Sequence, residues 1–130
     1  MTVGSALAFD IAAVLIHEAS HGAAARWLGY RPQPFTGLRP PRIGVRIAGK
    51  VPPAADALIA LAGPSGNLLA ALLLLAVQQR SAALVVGLLG VLSLLPWPAR
   101  NDGARALAAA RRHRAAAKAS RKLRIPSAEG

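Results

Sequence analysis

The stretch Asp10-Ile11-Ala12-Ala13-Val14-Leu15-Ile16-His17-Glu18-Ala19-Ser20-His21-Gly22-Ala23-Ala24-Ala25 sets a few polar side chains in an otherwise continuous apolar run. Ala, Val, Leu and Ile at consecutive positions describe a helix that is apolar nearly all round. That is the pattern of a segment in lipid, not the one-sided stripe of a soluble helix. Within it, His17, Glu18 and His21 form His-Glu-x-x-His. Positions i and i+4 of a helix share a face one turn apart, so both imidazoles can grip one Zn²⁺ while Glu18 reaches the water bound to it. The 7-then-4 spacing of Asp10, His17 and His21 puts all three on roughly one face, expected to look into a bundle and away from lipid. Asp10 lies about 10 Å along the axis from His17, too far to ligate the same ion. It reads as a carboxyl near the outer end that reaches water or is simply protonated, with a proton path or a substrate contact as the functional alternatives.

Composition agrees with a bilayer setting. The chain has 130 residues, enough for one domain, and is 54% hydrophobic against 16% charged, with the apolar residues gathered in blocks. Those blocks run from Val3 to Leu28, from Ala54 to Val77 and from Ser81 to Leu95, and about 20 apolar residues suffice to cross the hydrocarbon core. Residues before Ala8 carry no Lys or Arg and the first block contains the His-Glu-x-x-His motif itself, so it is read as a membrane span and not as a signal peptide. No cysteine is present, which excludes disulfides and thiolate metal sites and leaves His and carboxylate as ligands.

The net charge of +11 raises nucleic acid as a partner, but its distribution points to topology instead. Arg26, Arg31, Arg39, Arg42, Arg46 and Lys50 end or follow the first block. Arg100, Arg105, Arg111, Arg112, Arg114, Lys118, Arg121, Lys122 and Arg124 follow the third, and Arg80 alone separates the second from the third. With three crossings, the first loop and the C-terminal tail share a side, and the positive-inside rule makes that side the cytoplasm. The expectation is an integral multi-pass protein of the cell membrane, taken as bacterial, with its N-terminus outside and its C-terminus in the cytoplasm. Trp27, Tyr30 and Trp97 fall at the same expected interface, where amphipathic rings favour the headgroups.

The connecting segments are expected to do specific work. Ile43, Val45 and Ile47 alternate with Gly and Arg between Arg42 and Ala48, which fits a short strand or hairpin whose edge could hold an extended peptide, or equally an interfacial loop. Gly63-Pro64-Ser65-Gly66-Asn67 in the second block permits close helix approach, and Asn67 in hydrocarbon should seek a partner. Leu94-Leu95-Pro96-Trp97-Pro98 stops the third helix. Ala104 to Arg124 is Ala-rich and basic, a helix expected along an anionic membrane surface; without interleaved aromatics, nucleic acid is not expected as its partner. The fold class is therefore an all-α membrane protein with three transmembrane helices, a short strand or hairpin in the first loop and a basic C-terminal helix. Residues 1–107 form the core and 108–130 the basic cytoplasmic tail.

A catalytic zinc normally has three protein ligands. Asp10, Asp56, Asp102, His113 and Glu129 remain as candidates for the third, and topology leaves Asp56 and Asp102 on the side of His17 and His21. Asp102 follows a helix break that can turn the chain inward, whereas Asp56 more naturally caps the second span.

His-Glu-Ala-Ser-His in a first apolar span, Gly63-Pro64-Ser65-Gly66-Asn67 in the next, and Leu94-Leu95-Pro96-Trp97-Pro98 leading to Asp102-Gly103 resemble the site-2 protease family of intramembrane zinc metalloproteases, over roughly residues 5 to 107. Ser93 stands where that family usually carries Asn, and the stretch before Asp-Gly is one residue longer, with Asn101 in place of an apolar residue. The resemblance implies that Asp102 completes the metal site with His17 and His21. It implies a zinc metalloendopeptidase that cuts transmembrane protein substrates. In the mechanism expected from the residues, Glu18 is the general base and Asn67 is a candidate for the oxyanion, while the resemblance makes Ser93 a candidate substrate contact. The alternative is a catalytically inactive membrane scaffold in which the same residues form a structural metal site or polar core. A soluble zincin is excluded by the continuous apolar blocks and by Ala24 and Trp27, which stand where its longer motif needs Gly and His.

Overall fold

A computed structural model describes residues 3–38, 41–96 and 101–124. Arg39, Trp97, Pro98, Arg100 and Glu129, all used in the sequence reading, lie outside these residues. The described chain is mostly helical, with α1 (Val3–Trp27), β1 (Pro32–Leu38), β2 (Pro41–Ile47), α2 (Pro53–Ala76), α3 (Arg80–Leu94) and α4 (Asp102–Arg124). The three apolar blocks became α1, α2 and α3 to within a residue or two. Among the described residues, α2 is the helix both long and apolar enough to cross a bilayer, while α3 is apolar but has only 15 residues.

Helices α1 and α2 end in the same way. Gly29 takes a positive φ of 85°, so the Tyr30 N–H reaches back to the Ala25 carbonyl at 2.9 Å and the Gly29 N–H to Arg26. Gln78, at φ 61°, lets the Gln79 N–H bond the Leu74 carbonyl at 2.8 Å. A left-handed residue past the last turn satisfies carbonyls that would otherwise be orphaned, and it reverses the chain within a few residues. Gln78 bears a Cβ and is the less favoured residue there.

Strands β1 and β2 pair antiparallel from Pro32 opposite Ile47 to Leu38 opposite Pro41, which makes the alternation in the first loop a hairpin. Both strands touch α1, and Val45 lies over Gly22 at a distance that would give an added Cβ ordinary contact, 3.8 Å.

Small residues pack the interior, whereas large aliphatic ones cover the outside. On α1 the inward ridge is Ala13, His17, His21 and Ala25, spaced by four. On α2 it is Ala60, Gly63, Pro64, Asn67 and Ala71, with Ile59 a large aliphatic exception buried beside them, and on α3 Ala82, Ala83, Val86 and Gly90. Leu69, Leu72, Leu73, Leu84 and Leu88 point outward and are more than half exposed. Close approach through small residues is the packing mode of helices in lipid, where burying a leucine against another helix gains little over leaving it in hydrocarbon. Gly66 shows the tolerance: a Cβ there would overlap the Ser20 side chain of α1.

Gly66→Ala should therefore force α1 and α2 apart and cost about 1–3 kcal/mol, the usual range for overpacking. Denaturant unfolding of the detergent-solubilised protein, compared with Ala→Gly at the exposed Ala8 of α1 as a helix-propensity control, will measure it.

Candidate metal centre

His17 and His21 stand one above the other on the inner face of α1, with ring centroids 4.8 Å apart and planes nearly perpendicular. Asp102, at the first turn of α4, closes the group: its Oδ2 is 2.7 Å from His17 Nε2 and its Oδ1 3.3 Å from His21 Nε2. Ligand atoms from these three residues all lie within 4.8 Å of one another, and no other such group of His, Cys, Asp or Glu occurs among the described residues. Tetrahedral zinc with bonds of 2.0–2.1 Å places its ligand atoms about 3.3 Å apart, so the cluster brackets the required spacing.

The donor chemistry fits a cation more tightly still. His21 Nδ1 is 2.6 Å from the Ile59 carbonyl, which can only accept, so Nδ1–H donates and the Nε2 lone pair is turned toward Asp102. Nε2 facing a carboxylate oxygen at 3.3 Å calls for positive charge at that place, which either a ring proton or a bound cation supplies. Gly63 supplies the space. A Cβ on it would overlap the His21 imidazole and come within 2.7 Å of His17 Nε2, so the glycine leaves open the place where the two imidazoles face.

Asp102 reaches this position through three local devices. Asn101 caps α4: its Oδ1 accepts the Ala104 N–H at 3.0 Å and its carbonyl the Arg105 N–H at 3.1 Å. Gly103 is buried, and a Cβ there would strike the Leu94 carbonyl, so α4 can begin directly against the end of α3. Asp56 in the first turn of α2 accepts Arg105 Nε at 2.9 Å, Arg105 Nη2 at 2.6 Å and Arg112 Nη2 at 2.8 Å, tying α4 alongside α2. Asp56 is therefore a tether and not a ligand, and its side chain does not cap α2, whose N-cap is Pro52. Burial opposes ionisation of Asp102, but the hydrogen bonds with His17 and then His21 prevail and hold its carboxyl well below the usual carboxylate range. The positive end of α4 works in the same direction.

The remaining sequence candidates sort by position. Glu18 is half-buried beside the cluster, and Gly44 of β2 lies so close that an added Cβ would stand 3.6 Å from its Oε2. A recess of about 220 Å³ is lined by Val14, His17, Glu18, Asn67, Leu89 and Ser93, so Asn67 and Ser93 both reach the neighbourhood of the site. Ser93 Oγ donates to the Leu89 carbonyl at 2.9 Å. A second recess of about 500 Å³ runs between α1 and the hairpin, with Glu18, Gly22 and Arg26 on one wall and Ile43, Gly44 and Val45 on the other. Asp10 is exposed and apart from the cluster, and His113 is exposed on α4. Sequence reasoning missed Asn101, Gly103 and Asp56 as positioning residues, and treated Gly63 as packing alone. Only Asn101 carried a signal, an N-cap residue before an Ala-rich helix.

A helical protein whose paired histidines, adjacent glutamate and remote aspartate converge in an apolar bundle has the build of a membrane-type metallopeptidase. The family model described as Peptidase M50B-like matches residues 3–110, and the chain belongs to that family. No curated protein and no solved structure matches the chain.

Two substitutions separate ligand from tether. Asp102→Ala should abolish stoichiometric zinc in the purified protein, whereas Asp56→Ala should retain zinc and lower stability by about 1–2 kcal/mol, the worth of two partly exposed ion pairs. Gly63→Ala should behave like Asp102→Ala in metal analysis while the protein remains helical by circular dichroism.

Proposed function

We propose that the protein is an intramembrane zinc metalloendopeptidase that hydrolyses peptide bonds of transmembrane protein substrates. The observation that carries this reading is the convergence of His17, His21 and Asp102, from opposite ends of the chain, beside Glu18. Family membership supports peptidase chemistry, and the outward-facing leucines support a bilayer setting.

His17, His21 and Asp102 would hold the ion. When bound there, Zn²⁺ would acidify a water molecule and polarise the scissile carbonyl. Glu18 accepts the proton of the attacking water and delivers it to the leaving amine nitrogen, a role that fits a carboxylate facing both recesses. The substrate segment must be extended for attack, and β2, lying against Glu18, offers main-chain groups along which such a segment can pair. Ser93 and Asn67, in the wall of the smaller recess, are assigned to contacts with the substrate or its oxyanion.

The proposed topology has α1, α2 and α3 crossing the membrane, with the N-terminus outside and α4 in the cytoplasm. At 1.5 Å per residue α3 is only about 22 Å long, short of the roughly 30 Å hydrocarbon core, so its end and the Asp102 turn would lie below the membrane surface. Burial within protein is what permits irregular backbone there. Arg111, Arg114, Lys118 and Arg121 form an exposed stripe at three- and four-residue spacing on α4, assigned to anionic headgroups.

Glu18→Gln should keep one zinc per chain and lose cleavage by about 10²–10⁴-fold, measured on a single-span substrate in proteoliposomes. Chelation should abolish activity of the wild type and added zinc should restore it. Full zinc occupancy in a wild type that cleaves no membrane substrate would leave a structural metal centre instead.

A further inference from the structure

Asn67 is 2% exposed, on the inner ridge of α2, and its two amide atoms have different fates. Nδ2 lies 3.4 Å from His17 Nδ1, while Oδ1 is buried with no hydrogen-bond partner. A buried amide oxygen without a donor is costly and calls for a physical reason.

The reason lies in the tautomers of His17. With no metal, His17 Nε2–H donates to Asp102 Oδ2 at 2.7 Å; Nδ1 is then a bare acceptor, and the Asn67 NH₂ is the correct group to face it. Once Nε2 spends its lone pair on a metal, the neutral ring carries its proton on Nδ1. An NH₂ group opposite that N–H sets donor against donor. Turning the amide by 180° exchanges its two nearly isosteric ends and brings Oδ1 to the Nδ1 proton. His21 has no such need, because the Ile59 carbonyl fixes its Nδ1 as a donor in either state.

We propose that Asn67 is the positioning residue of His17, presenting its amide nitrogen to Nδ1 in the metal-free protein and its amide oxygen when a divalent cation is bound. An amide carries donor and acceptor on one rigid group, so one side chain serves both tautomers. Aspartate can serve only the loaded state, and leucine neither. The proposal rests on the metallopeptidase reading for the identity of the site, and concerns how firmly the site holds its ion. It is separate from any contact of Asn67 with substrate, which would alter turnover and leave metal retention unchanged.

The test uses full-length protein in detergent as wild type, Asn67→Leu and Asn67→Asp, each loaded with zinc and challenged with a chelator of known affinity. Asn67→Leu should bind zinc about 10–100-fold more weakly than wild type, the usual effect of removing the partner of a ligating imidazole. Asn67→Asp should restore binding to the wild-type level or above. Zinc held equally by wild type and Asn67→Leu, or equally poorly by both variants, overturns the proposal. A wild type with no zinc affinity overturns it together with the metallopeptidase reading, which distinguishes the two failures. ¹⁵N-histidine NMR of the unmutated protein gives a readout independent of variant folding: His17 Nδ1 should change from unprotonated to protonated when zinc is added. An Nδ1 that keeps one protonation state throughout rules the exchange out.

Discussion

The close approach of α1 to α2 is the constraint on which the rest of the structure depends. Two imidazoles project from α1 straight at α2, and they fit only because α2 offers Gly63 where they arrive and Gly66 one turn further along, against Ser20. The same approach brings the Ile59 carbonyl within hydrogen-bonding distance of His21 and the Asn67 amide beside His17, so both rings are oriented by one helix face. In hydrocarbon such polar groups are costly unless they satisfy one another, and this packing supplies the partners that lipid cannot.

The second constraint is delivery of a carboxylate from far along the chain, eighty-five residues beyond His17. The helix α4 acts as the lever. Asn101 fixes its first turn, Gly103 lets that turn press on the end of α3, and the Asp56 tether holds its body along α2. Despite the extra residue before Asp-Gly relative to the family pattern, Asp102 Oδ2 stands 2.7 Å from His17 Nε2, and Asn101 serves as the cap of α4. Helix α4 runs unbroken through residues 107 and 108, so the segment that carries Asp102 and the basic tail are one mechanical element.

Much of this was legible in the sequence. The three apolar blocks gave α1, α2 and α3, the alternation at Ile43, Val45 and Ile47 gave β2, and the His-Glu-x-x-His spacing placed both imidazoles on one face. What could not be read was long-range complementarity. Nothing local distinguishes a glycine that merely permits helix contact from Gly63, which clears space between two imidazoles. An aspartate near a helix start looks like a cap, yet Asp56 is claimed by arginines 49 and 56 residues away. Likewise the need of Asn67 for a partner was foreseeable, whereas the identity of that partner depended on the register of α1 against α2.

The placement of Glu18 gives the peptidase reading its directional content. A general base must meet water on one side and the scissile bond on the other, and in a bundle coated with leucine these cannot share an arbitrary route. Glu18 borders two recesses that differ in kind. The larger lies against the hairpin, where Gly44 has no side chain to shield the carboxylate and the strand backbone is near; the smaller leads past His17 to Asn67 and Ser93. An extended segment needs length and backbone partners, which only the hairpin side provides. A recess of about 220 Å³ with one wall of polar side chains suits a substrate side chain or a few waters. Substitutions along β2 should therefore act on substrate binding, and those at Ser93 on the step at the carbonyl. Under the proposed function, the two recesses would divide recognition from chemistry across a single glutamate.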